Sequence, residues 1–88
     1  MNDIINYFSL TAEQVEKLTD QQTDILCYIF DYGSITPMEA FTELGITKLS
    51  TRISEMKVLG IQFSQAFEDR LNRRGKKVRY MRYRKAAA

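Results

Sequence analysis

From Asp20 to Gly60 the apolar residues recur at helical spacing, and after Gly60 the spacing drops to two. The change of period divides the chain into a helical part and a strand part. Thr19 precedes Gln22 by three residues, the separation of a capping box, and Asp20 places a negative charge at the positive helix end. Ile25, Leu26, Ile29 and Phe30 fall on one side and Gly33 supplies a left-handed stop, which predicts a helix over 20–32. Ser34 and Ile35 form a short extended piece. Thr36-Pro37-Met38-Glu39 is a second capping box with Pro at the first helical position. It opens a helix over 37–44 with Ala40, Phe41 and Leu44 inward. Gly45 breaks that helix, Ile46 plugs the turn, and Thr47 is expected to cap a third helix over 48–59. Gly60 ends it, at a site where Ala is expected to cost about 1 kcal/mol.

Ile61, Phe63 and Phe67 alternate with Gln62, Ser64 and Glu68, the pattern of a half-buried strand. Asp69–Gly75 reads as a polar, basic turn. Lys76–Arg84 reads as a second strand with apolar and basic residues on both faces, which leaves its inward face open, and the reading leans to Val78 and Tyr80 inward opposite Phe67. Residues 1–18 are patterned more weakly. Ile4, Ile5, Tyr7, Phe8, Leu10, Val15 and Leu18 suggest one short amphipathic helix or two fragments, with Thr11 and Gln14 at capping-box spacing. The expected organisation is a leader over 1–18, a domain over 19–85, and an added tail at 86–88.

Composition narrows the class. A chain of 88 residues forms one domain, too small for a deep catalytic pocket. With 44% hydrophobic and 27% charged residues it is globular rather than disordered. No apolar run approaches the roughly 18 residues of a membrane span, and no export signal opens the chain. The lone Cys27 has no partner for a disulfide, so a packing role and a reducing cytoplasm are expected.

The net charge of +2 hides a division. Residues 1–45 hold eight acids against one base, whereas residues 46–88 hold twelve bases against three acids. Arg70 to Lys85 contains nine bases and no acid. A solvated basic tail would lack the alternating Val, Tyr and Met found here, so the run belongs to a folded anion-binding surface.

Catalytic chemistry finds little support. Without His and with one Cys, neither the usual zinc spacings nor Ser-His and Cys-His pairs can be built. No glycine-rich phosphate cradle is present. No enzyme activity, metal or cofactor is expected. Tyr7, Tyr28, Tyr32, Tyr80 and Tyr83 read as core or rim residues rather than base-stacking platforms.

The order is helix, short strand, helix, tight Gly turn, helix, strand, basic turn, strand. Two short helices joined by a Gly-containing turn are the helix-turn-helix signature. Gly33-Ser34-Ile35-Thr36-Pro37-Met38-Glu39-Ala40, Leu44-Gly45-Ile46-Thr47, Arg52-Ile53-Ser54-Glu55-Met56-Lys57 and Gly75-Lys76-Lys77-Val78-Arg79-Tyr80 resemble small winged helix-turn-helix proteins of bacteriophages and prophages. The resemblance covers roughly residues 19–84. It implies an α+β winged helix, with three helices and then a two-stranded hairpin wing, and a short extra strand between the first two helices. It also implies duplex DNA as partner, in phage gene control.

Helical geometry sorts the third helix. Leu49, Ile53 and Met56 share one face, and Thr47, Thr51, Ser54 and Val58 point away from it. Lys48, Ser50 and Glu55 lie at the margins and Arg52 on a flank. Thr47, Lys48, Ser50, Thr51, Arg52, Ser54 and Glu55 are therefore the candidate base-reading set. Arg70, Arg73, Arg74, Lys76 and Lys77 are the candidate backbone or minor-groove set on the wing. One or two lysines would suffice merely to keep a hairpin tip from aggregating, and this tip carries more. The acidic first half leaves a second reading open, an adaptor docking on a host or phage protein. Residues 1–18 are the spare element available for a homodimer.

Overall fold

A computed structural model describes residues 2–86 of the chain. The tail expected at 86–88 lies outside the described residues except for Ala86. The chain forms five helices, α1 (Asn2–Phe8), α2 (Ala12–Lys17), α3 (Asp20–Tyr32), α4 (Pro37–Leu44) and α5 (Leu49–Val58). Two strands follow, β1 (Phe63–Leu71) and β2 (Lys77–Lys85). The expected helix count of three rises to five because residues 1–18 form two helices of their own.

Threonines start three of these helices. Thr11, Thr19 and Thr36 each accept a hydrogen bond from the backbone N–H three residues on. Gln14, Gln22 and Glu39 each accept in return from the threonine's own N–H. Each reciprocal pair satisfies two amides that would otherwise lack partners. The cap expected at Thr47 is absent: α5 begins one residue later, with Lys48 at the cap and no side-chain hydrogen bond there. Lys48 offers no acceptor, and Thr47 stands one position too early for its hydroxyl to reach the first turn.

α3 is the centre of the core. Its Ile25, Leu26 and Ile29 are fully buried, and it packs against α1, α4, α5 and β2. α4 contributes Ala40, the turn contributes Ile46, and α5 contributes Leu49, Ile53 and Met56. Phe41, expected inward, is 57% exposed, because Ala40 and half-buried Leu44 already occupy the side of α4 that meets the core. Residues 1–18 are not peripheral to this core. Ile4, Phe8 and Leu10 are buried in it, and the Tyr7 ring stands edge-on to Phe8 and Phe30.

β1 and β2 pair antiparallel from Phe63↔Lys85 to Leu71↔Lys77. Ile35 exchanges two 2.9 Å backbone hydrogen bonds with Tyr83, so β2 lies between Ile35 and β1. The first strand continues through Asp69 and Arg70 to Leu71, leaving only Asn72–Lys76 as the turn. The inward face also differs from expectation. Tyr83 is buried and Met81 half-buried, with Phe63 beside them, whereas Val78 and Tyr80 lie on the opposite face. Both strands carry apolar residues at odd and even positions, and a shift of one residue exchanges the faces. Met81, not Val78 or Tyr80, sits opposite Phe67. Nine-residue strands run about 30 Å, so the hairpin outreaches the helices and Phe67 and Leu71 stay exposed. The molecule measures 47 × 27 × 22 Å.

α5 ends in a Schellman motif. Gly60 N–H donates to Lys57 and Ile61 N–H to Met56, with Gly60 at φ +94°. A Cβ on Gly60 would stand 3.1 Å from Gln14 Nε2. Ala there is both conformationally strained and in contact with a hydrogen-bonded amide, a worse position than the sequence suggests. Gly45 is also left-handed, at φ +69°, but open space surrounds it.

This packing has measurable consequences for stability. Phe8→Ala is expected to cost about 3–5 kcal/mol in urea unfolding, as for other buried aromatics. A loss below about 0.5 kcal/mol would place α1 outside the core. Gly60→Ala should destabilise more than Gly45→Ala, both carrying the left-handed penalty of about 1–2 kcal/mol and only the first displacing Gln14. Equal unfolding midpoints would contradict the close contact at Gly60.

Candidate nucleic-acid interface

α5 divides cleanly along its length. Leu49, Ile53 and Met56 are at most 2% exposed and lock one face against α3. Thr51, Ser54 and Val58 form the outer strip, continued by Thr47 before the helix, and all four are exposed. Val58 is 87% exposed, an apolar side chain the core does not use. Lys48 and Ser50 are exposed beside the strip.

Arg52 and Glu55 lie on a flank of α5 and are half-buried. Arg52 Nε sits 3.5 Å from Glu55 Oε1, and Glu55 accepts a 3.0 Å hydrogen bond from Gln22 Nε2. The structure thus separates these two candidates from the outer strip and ties them towards α3. Two residues absent from the sequence-based set enter here. Gln22 holds Glu55, and Gln14 Nε2 donates to the Leu59 carbonyl at 2.9 Å. Their threonine-to-glutamine spacing marked them as capping residues, and nothing local marked their second contact.

The other candidate group occupies the hairpin tip. Asn72 N–H donates to Lys76 O and Gly75 N–H to Asn72 O, closing a tight turn with Gly75 at φ +75°. The Asn72 side chain organises the turn, its Oδ1 accepting from Arg74 N–H at 2.9 Å and Lys76 N–H at 3.0 Å. This is the side-chain-to-backbone bonding for which Asn is favoured in turns. Arg73 and Arg74 consequently sit at the apex. Arg70, Arg73, Arg74, Lys76 and Lys77 are all exposed. Among the described residues, Arg70, Arg73, Arg74 and Lys76 make no ion pair. Lys77 shares Asp69 with Arg79, at 3.4 and 3.9 Å. Arg79 also lies 4.3 Å over the Phe67 ring, covering part of that exposed aromatic.

Basic residues nearer the hairpin base have a different role. Arg82 Nε donates to Glu68 at 2.9 Å and its Nη1 to Ser34 Oγ at 2.8 Å, with Glu39 3.7 Å away. Tyr80 donates to the same Glu68 oxygen at 3.0 Å, and Arg84 lies 3.5 Å from the other. This cluster fixes the hairpin to the segment before α4. The Arg82 hydrogen bond holds the Glu68 carboxyl below its ordinary range, helped by Tyr80 and Arg84. Arg82 is raised in turn, first by Glu68. Burial pushes the Cys27 thiol up, and Asp24 and Asp31 push it further.

Residues 20–85 match the family described as Winged helix-turn-helix domain. The chain belongs to that family. No curated protein and no solved structure matches it. In a winged helix, α4 and α5 form the helix-turn-helix pair and β1–β2 the wing. The family match begins at the first residue of α3, so α1 and α2 stand in front of it, and α1 with Leu10 nevertheless completes the core. Winged helix-turn-helix domains are DNA-binding modules, and the partner set by this family is DNA. No helix among the described residues is long and apolar enough to cross a membrane.

The Glu68 cluster makes stability pH-dependent. A carboxylate whose folded pKa is depressed stabilises fully above the unfolded carboxylate range and ceases to do so as pH falls through the folded value. Glu68→Gln should therefore be less stable than wild type near neutrality, and the gap should close on acidification below the carboxylate range. Thermal unfolding of both proteins from pH 7 to pH 2 checks this. A gap that stays constant would remove Glu68 ionisation from the fold's stability.

Proposed function

We propose that this winged helix reads duplex DNA sequence with α5 in the major groove and grips the backbone or minor groove with the wing turn. The observation that carries the reading is the group Arg70, Arg73, Arg74 and Lys76, exposed and, among the described residues, without acidic partners at the end of the hairpin. A cluster fixed in place by Asn72 loses less freedom on meeting phosphate than a flexible tail would. Each neutralised phosphate releases counterions, giving affinity without regard to sequence. On α5, Thr47, Lys48, Ser50, Thr51 and Ser54 offer small hydroxyls and one ammonium to base edges, and Val58 suits a thymine methyl. Arg52 and Glu55 act at the rim of this surface, where Glu55 orients Arg52.

The resemblance to small phage and prophage proteins supports transcriptional regulation or a recombination accessory role there. The free, half-buried Cys27 fits a reducing cytoplasm. A protein contact on the opposite side is a second reading, favoured by one surface. The Tyr28 and Tyr32 rings lie 4.6 Å apart, tilted by 41°, beside Asp24, Asp31 and Glu43, around a shallow hollow of about 260 Å³. Its carboxylates would repel DNA and leave that face to a host or phage protein. A homodimer through residues 1–18 has less to draw on, since Ile4, Phe8 and Leu10 are committed to the chain's own core.

Arg73→Ala with Arg74→Ala is expected to weaken binding to selected and scrambled duplexes by the same factor. The log–log salt dependence should become shallower by about 0.9 for each phosphate no longer neutralised. A salt series on both duplexes measures this. Unchanged affinity for scrambled DNA at every salt concentration would exclude the wing from the DNA interface and favour the protein-docking reading.

A further inference from the structure

Gln14 and Gln22 each stand at the third position of a helix opened by a threonine. In each, the side-chain oxygen accepts from that threonine's own N–H, at 2.8 Å from Thr11 and 3.0 Å from Thr19. This bond fixes which end of the amide is oxygen, so the NH2 group must serve a different acceptor. Both NH2 groups reach α5. Gln22 donates to the Glu55 carboxylate at 3.0 Å and Gln14 to the Leu59 carbonyl at 2.9 Å. Positions 55 and 59 are one turn apart on the same flank. On the other flank, Lys57 Nζ donates to Gln65 Oε1 of β1. Gln22 is only 4% exposed, although polar.

The apolar face of α5 decides which side meets the core, and small rolls about that position are left to finer, directional restraints, because hydrophobic attraction is itself non-directional. Hydrogen bonds on the two flanks are directional. A roll of about 20° would carry side-chain tips, about 6 Å from the axis, through about 2 Å. That displacement breaks a hydrogen bond and changes which side chains face a base edge. We propose that Gln14 and Gln22 are positioning residues that set the roll of α5 and thereby its sequence preference. They act through Leu59 and Glu55, without touching DNA. The inference rests on the DNA-reading role of α5 and extends it to residues behind that helix.

Gln22→Glu is the informative variant. A glutamate can still complete the capping box, as Glu39 does in α4, but it turns an oxygen towards Glu55. Gln22→Glu with Glu55→Gln restores a donor–acceptor pair in reverse and keeps the net charge. Gln21→Glu, at an exposed position of α3, controls for added charge. Dissociation constants are measured at one salt concentration, on the duplex most enriched by wild type from a random pool and on a scrambled duplex. Gln22→Glu should reduce the ratio between the two by about tenfold, the scale of one misplaced base contact. Gln21→Glu should keep the wild-type ratio, and the double variant, which alters Glu55 at the rim of the surface itself, is judged by the free-protein amide shifts instead. Amide chemical shifts of Thr51, Ser54 and Val58 in the free protein give a second readout. They should move in Gln22→Glu and return in the double variant. A wild-type ratio with unmoved amides in Gln22→Glu overturns the proposal. If wild type itself does not discriminate between the duplexes, the DNA-reading role fails separately, and unmoved amides still overturn the control of roll. Should Gln22→Glu not fold, Gln14→Glu carries the same two measurements through the Leu59 contact.

Discussion

The structure depends on one dry seam, the contact of α3 with the helices and strand around it. Ile25, Leu26 and Ile29 are fully buried, and α1, α4, α5 and β2 all pack on this helix. Full burial of such side chains stabilises by about 1.5–3 kcal/mol each, a large share of the stability of a small domain. Because α3 meets α5 along Leu49, Ile53 and Met56, it also decides which side of α5 is left to solvent. The exposed threonine and serine strip is the complement of that buried face.

Polar contacts then convert a packed core into a defined surface. Arg82 joins Glu68 to Ser34 and so ties the hairpin base to the segment before α4, where Ile35 pairs with Tyr83. Asn72 shapes the far end of the hairpin. Basic residues consequently divide by position along the wing. Arg82 and Arg84 near the base share Glu68, and those at the tip are left available to an external anion. Net charge alone would count them together.

The separation of acid and base along the chain is carried into the fold. The acidic first half supplies α3, its capping boxes and the Tyr28–Tyr32 surface. The basic second half supplies the outer strip of α5 and the wing. A DNA duplex would be attracted to one and repelled by the other, so charge orients the domain as well as binding it.

Local order was written in the sequence wherever a residue acts on its near neighbours. The capping boxes at Thr11, Thr19 and Thr36, the bounds of α3 and α4, and the buried face of α5 all follow from interactions within a few residues. The basic wing turn was legible for the same reason, since its charges are contiguous. What the sequence left open depends on contacts between distant segments. The inward face of β2 was undecidable because both faces carry apolar residues, until the pairing of Ile35 with Tyr83 and the packing of Phe63 on Phe8 fixed it. The burial of Ile4, Phe8 and Leu10 needed a surface on α3 and the hairpin that no local pattern announces. Periodicity put Glu55 and Arg52 at the edge of the α5 surface but could not show the hydrogen bond that Glu55 accepts from Gln22, 33 positions away. Helix periodicity determined which side of α5 could face a partner; only the folded chain, through hydrogen bonds across that distance, decided how the helix is held.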